Sequence, residues 1–71
     1  KRYVTVVSAT CVLRAKASGT SAALAQVEPK VIGKVVECPA ASDWCEIEVN
    51  GLKGWLQRKD LWGVYPNEVI D

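Results

Sequence analysis

"KVVECPAASDWCEIEV", residues 34–49, reads as a strand, a turn and a second strand. Val, Ile, Cys and Trp flank "PAASD", a run of turn formers and small residues. With the turn centred on Ala41-Ser42, Cys38 faces Cys45 and Val36 faces Ile47. Val36, Cys38, Cys45, Ile47 and Val49 then share one apolar face. Facing Cα atoms of a non-hydrogen-bonded antiparallel pair lie about 4.5 Å apart, at the short end of disulfide reach. The same register sets Glu37 against Glu46, a mildly unfavourable like-charge pair. Sliding the turn by one residue would relieve that pair, but it would turn the apolar face to solvent. The register with the buried apolar face is therefore retained.

Everything outside this hairpin has to fit a very small chain. Seventy-one residues make one domain, near the lower limit for unaided folding. A core of this size rarely nets more than about 3–5 kcal/mol, so a covalent staple is expected. Cys11, Cys38 and Cys45 are odd in number. The hairpin register favours a Cys38–Cys45 bridge. A bridge from Cys11 to one of the pair, or three buried free thiols, are the alternatives. A bridge would place the chain in an oxidising compartment, the periplasm or cell exterior. The absence of His and the cysteine spacing disfavour zinc.

Composition narrows the function. Apolar residues are 49% and charged residues 24%, as in a globular domain, and the net charge is +1 with no basic stripe. Nucleic acid is therefore not an expected partner. Lys1-Arg2, Lys53 and Arg58-Lys59 read as solvated faces. No apolar run approaches the ~18–20 residues of a transmembrane helix. The start at Lys1 suggests a single domain, 1–71 with a core of about 4–64, excised from a longer exported protein.

The rest of the chain reads as short strands. "RYVTVVSATCVLRAK" gives two strands, or one broken by a bulge. "AKASGTSAALAQ", residues 15–26, reads as a long loop. Pro29 marks a turn before a strand from about Val31 to Cys38, with Gly33 as a bend or bulge. Trp44–Val49 is its partner, and Asn50-Gly51 is a strong hairpin signal leading into "LKGWLQ". "RKDL", residues 58–61, looks like one 3-10 turn, "WGVYP" like a closing strand, and "NEVID" like a surface tail. Five to six short strands at this spacing argue for an all-β barrel or sandwich.

Catalysis finds little support. Missing His removes the commonest general base, and no phosphate-binding loop or metal-ligand cluster is visible. Glu46 and Glu48 share a strand face about 7 Å apart, within glycosidase range, but that face reads as solvated. The rings remain. Trp44 lies opposite Cys45 and Ile47, beside Glu46 and Glu48, so it points outward if the cysteines point inward. Trp55 alternates with Leu56, and one of the two is inside. Trp62 and Tyr65 are placed to clamp the barrel edge, and Tyr3 to pack in the first strand. A chain without Phe or Met would also be expected to use Trp as core filler. The alternative is a groove in which Trp44, Trp55 and Tyr65 hold a cationic peptide, an amide-rich peptide or a sugar face. Arg14 would anchor a carboxylate there, or else pair with Glu28 or Asp43.

"VLRAKAS", "LAQVEPKVIGKVVEC", "DWCEIEVNGLKGW" and "KDLWG" occur in that order. The succession resembles the bacterial SH3 (SH3b, SH3-like) domain family over roughly residues 4–64. Arg14, Pro29, Trp44, Ile47, Gly51, Gly54-Trp55 and Leu61 stand at the family's recurring positions. Two departures stand out: "KAS" replaces the usual Gly-Pro of the first loop, and Lys30 replaces the Gly that commonly follows the turn Pro. The resemblance implies an SH3-like barrel of five to six strands with a 3-10 turn before the last. It also implies an extracytoplasmic, non-catalytic module without cofactor, and it supports the Cys38–Cys45 bridge. Such a module would bind peptidoglycan, a cell-wall peptide or a protein partner, often beside a separate catalytic domain. Trp44, Trp55, Tyr65, Arg14 and Glu46 are the candidate binding residues. The competing reading is a structural domain that dimerises through an edge strand at either terminus.

Overall fold

The structure, a computed structural model, describes residues 3–64, 69 and 70, with Tyr3 and Val4 described as backbone only. Seven strands form one antiparallel sheet: β1 (Tyr3–Val7), β2 (Cys11–Arg14), β3 (Ala23–Val27), β4 (Ile32–Glu37), β5 (Trp44–Val49), β6 (Leu52–Gln57) and β7 (Leu61–Trp62). A single 3-10 turn, η1 (Arg58–Asp60), precedes β7. The strand order is β3-β2-β6-β5-β4-β1-β7, so β3 and β7 are the sheet edges.

β5 and β6 have the bounds that their alternation predicts. Between them Asn50 and Gly51 both have positive φ, 51° and 79°, as a two-residue primed hairpin turn requires. The seventh strand is β3, which occupies the second half of the stretch read as loop. Its sequence, ALAQV, has little intrinsic β preference, and pairing with β2 organises it.

The β4–β5 register departs from expectation at one residue. Lys34 pairs with Glu48 and Val35 with Ile47, but Glu37 pairs with Glu46, so Val36 is an extra residue. Val35, not Val36, is therefore the fully buried partner of Ile47, and Val36 is half-buried. The reason is geometric. Val35 and Cys38 both point inward, three positions apart, which a period of two permits only with a bulge. The like-charge Glu37–Glu46 pair is present as expected. Gly33 is no bulge: a Cβ there would lie 2.6 Å from Ile47 Cγ2, so it marks close packing.

Every strand contributes to one core, built from Val7, Leu13, Val27, Val35, Cys38, Cys45, Ile47, Val49, Leu56, Leu61, Val64 and Ile70. Among the described residues no aromatic ring belongs to it. Trp44 and Trp55 are half-buried and Trp62 is 73% exposed, so the core-filler expectation fails for all three indoles. The packing is aliphatic plus one disulfide. Cys38 and Cys45 are bonded, with Cα atoms 4.2 Å apart and neither residue exposed, while Cys11 is free.

Chain closure uses polar ties. Thr5, 1% exposed, donates its hydroxyl to the Trp62 carbonyl, and Val6 and Val7 pair with Trp62 and Leu61. Trp62 thus joins the closing edge through its backbone while its ring points out, not as the clamp anticipated. Ile70 exchanges backbone hydrogen bonds with Cys38 and is 3% exposed. The tail read as trailing on the surface is anchored there, because Ile70 completes the core.

Candidate functional site

Strand pairing draws the proposed binding residues from distant parts of the chain. Arg14 pairs with Trp55, Trp55 with Glu46, and Glu46 with Glu37. These four form one row across β2, β6, β5 and β4. Leu13, Leu56, Cys45 and Ile47, their neighbours along the strands, are buried, so the row lies on the outer face. Trp44 and its partner Gln57 form the adjacent row on that face. Trp55 is therefore the outward member of the Trp55-Leu56 pair. Glu48 sits between Lys34 and Lys53, so its charge has a basic neighbour on each side.

Arg14 and Trp44 line one hollow of about 230 Å³, together with Cys11, Gln57, Lys59 and Asp60. Gly19 from the loop between β2 and β3 closes its rim. Gln57 and Lys59 also line a second hollow of about 280 Å³, with Asp43 and Arg58 among the described residues. The two hollows adjoin and make one groove along the end of the outer face. Trp55 and Glu46 flank it rather than line it. Tyr65 lies outside the described residues.

Several contacts fix the groove walls. Arg14 donates from NH1 to the Ser21 carbonyl at 2.9 Å, so it holds the loop of residues 15–22 instead of pairing with Glu28 or Asp43. Ser21 stiffens the same loop, its single hydroxyl proton directed to the Ser18 carbonyl at 2.7 Å with the Lys16 carbonyl 3.0 Å away. On the other side the expectation for Arg58 is overturned: it is 7% exposed, not a solvated cation. Its Nε donates to the Ser42 carbonyl at 2.6 Å and its NH2 to the Pro39 carbonyl at 2.9 Å. The Arg58 N–H also reaches the Asp43 carbonyl at 2.7 Å. Arg58 thereby fixes the turn that delivers Trp44, whose own N–H bonds Ser42 Oγ. Nothing in the sequence distinguishes this Arg from a surface one, because its partners are carbonyls 16 and 19 positions away.

Cys11, the first residue of β2, is half-buried on the groove wall. Burial, reinforced by the Asp60 carboxylate and opposed by Lys59, pushes its thiol up to about 11. At neutral pH it is a protonated thiol, not a nucleophile. No three His, Cys, Asp or Glu side chains converge as metal ligands among the described residues. Among the described residues no helix is long and apolar enough to cross a membrane. Along the groove lie the Trp44 indole, the Arg14 guanidinium and the Asp43 and Asp60 carboxylates, groups that can bind a ligand by stacking and charge-assisted hydrogen bonds.

A second outer feature lies apart from the groove. Val6 pairs with both Ile32 and Trp62, and all three are exposed, at 37, 62 and 73%.

The family profile described as bacterial SH3 domain matches residues 7–63. No curated protein and no solved structure matches.

Proposed function

Since the chain belongs to the bacterial SH3 domain family, whose members are generally non-catalytic binding modules, we propose that its groove recognises a cell-wall peptide in the bacterial envelope. One observation carries this reading: Arg14 and Trp44, 30 positions apart in sequence, line the same hollow. Trp44 offers a flat apolar plane for an aliphatic side chain or a sugar face. The Arg14 guanidinium spends one N–H on Ser21 and has further donors for a ligand carboxylate. Glu46 and Glu37, set against each other beside Trp55, favour an ammonium group. Cell-wall peptides present amide, carboxylate and amine groups together, which matches this layout. The Cys38–Cys45 bridge is compatible with an extracytoplasmic setting.

The test is retention on purified peptidoglycan. Loss of a ring contact worth about 1–1.5 kcal/mol weakens binding roughly tenfold. Trp44→Ala should show that loss with an unchanged melting transition. Full retention by both Trp44→Ala and Arg14→Ala would sink the proposal. The exposed row Ile32–Val6–Trp62 favours a second reading, assembly through the β1–β7 edge near the termini. A concentration-dependent dimer that Trp62→Ser abolishes, with no wall retention, would favour that reading.

A further inference from the structure

The sheet has a second edge, the strand next to β2, whose Cys11 and Arg14 line the groove. β3 pairs with β2 on one side and with no strand on the other among the described residues. Ala15 N–H bonds the Ala22 carbonyl, which sets the phase of the hairpin. Leu13 and Cys11 repeat that direction along β2, so their partners Ala25 and Val27 bond inward. Gln26, between them, turns its N–H and carbonyl to the open side. Of the usual protections of an edge, Ala23–Val27 holds no charge and no proline, and its one irregularity is the extra residue Leu24 where the pairing with β2 shifts. Beside this edge lies a hollow of about 260 Å³ lined by Leu13, Ala25, Val27, Val31, Val49 and Leu52, with Glu28 its one ionisable residue among the described residues.

We propose that β3 and this hollow form a second docking site, for an extended apolar peptide that adds to the sheet as an eighth strand. Backbone pairing at Gln26 supplies register, and one aliphatic side chain of the peptide fills the hollow. Glu28 selects a basic residue at that end of the peptide by charge complementarity. A second copy of this chain is the poorer occupant. β3 has five residues, about 17 Å of edge. Self-pairing over that edge covers far less than the roughly 800 Å² per partner that stable dimers bury. A separate peptide is not bound to the two-fold geometry and can reach into the hollow.

The probe is the capped hexapeptide KVTVTV, titrated to about 5 mM against labelled protein and followed by amide shifts. Shifts confined to residues 24–28 and 49–52 are expected, with slowed exchange of the Gln26 amide at saturation. The control peptide KPTPTV, which cannot form a strand, should give none. Gln26→Pro should abolish binding and keep the fold, because the lost N–H faces outward. Glu28→Lys should weaken it roughly three- to fivefold. The proposal is overturned by absence of shifts, by equal shifts with KPTPTV, or by shifts centred on Trp44 and Trp55. Broadening at β3 that depends on protein concentration without peptide would also overturn it, in favour of self-association.

Discussion

Reducing the Cys38–Cys45 bond should cost this domain a large share of its stability. The bond closes a loop with a sequence separation of 7. For a loop of about eight residues, the chain-entropy relation gives roughly 2.5 kcal/mol at 25 °C. A domain of this size nets only about 3–5 kcal/mol from its core. Reduction is a cleaner perturbation than substitution, because both sulfurs remain and the core keeps its volume. The third cysteine, Cys11, is already free, so a reductant changes nothing else. Both bonded residues are fully buried, so the reduced form is best made by unfolding and refolding in reductant.

Urea unfolding followed by tryptophan fluorescence measures the difference. With a slope near 1 kcal/mol/M, the midpoint should fall by about 2.5 M on reduction. In a thermal melt the same loss amounts to roughly 10–20 °C. Thiol titration of the unreduced, denatured protein should count one group, and of the reduced protein three. A midpoint shift below about 0.3 M would refute the entropic argument. Three thiols in the unreduced protein would refute the bridge itself.

Lys30 has φ 72°, the left-handed region in which a side chain costs about 1–2 kcal/mol. Lys30→Gly should therefore raise stability by about 0.5–1 kcal/mol after the entropy glycine adds to the unfolded chain, and a lower urea midpoint would contradict this. Gly54→Ala would set a Cβ 2.5 Å from Leu13 Cγ and 2.8 Å from the Arg14 carbonyl oxygen, so a loss of about 1–3 kcal/mol is expected in the same assay. The Cys11 thiol titrates near 11 in the fold against an ordinary 9.0. Its stabilising contribution is complete below pH 9 and is lost as pH rises toward 11, because the unfolded chain releases the proton first. Cys11→Ser should flatten that part of the stability profile, and an identical slope in both proteins would refute the assignment. Arg14→Ala removes the bond to Ser21, so amide exchange in residues 15–22 should accelerate while β5 and β6 stay protected.

Legibility in the sequence followed the range of the interactions. β5, β6 and the turn between them are local: alternation over six residues and an Asn-Gly pair define them. The disulfide is nearly as local, since Cys38 and Cys45 flank one short turn in the register that sets Glu37 against Glu46. The bulge at Val36 was hidden because adjacent valines satisfy the apolar face in either register. Only contact between Val35 and the rest of the core decides between them. β3 was missed because Ala, Leu and Gln carry no strand signal of their own, and its pairing with β2 spans a loop. At the site, the outward direction of Trp44 followed from periodicity. Its meeting with Arg14 depends on β2 lying beside β6, a contact across 41 positions that no local pattern encodes. The left-handed φ of Lys30 is a conformation that glycine adopts without strain, and nothing in a lysine signals it.

The pairing of β1 with β7 has a kinetic consequence. The first strand's outer neighbour is the last of the seven strands in chain order, so the sheet cannot be completed until Leu61 and Trp62 have been synthesised. The nascent chain can meanwhile form the β4–β5–β6 meander, whose turns are short. Closure then requires an end-to-end encounter with a high loop entropy, which puts folding in the millisecond-to-second range of non-local β topologies.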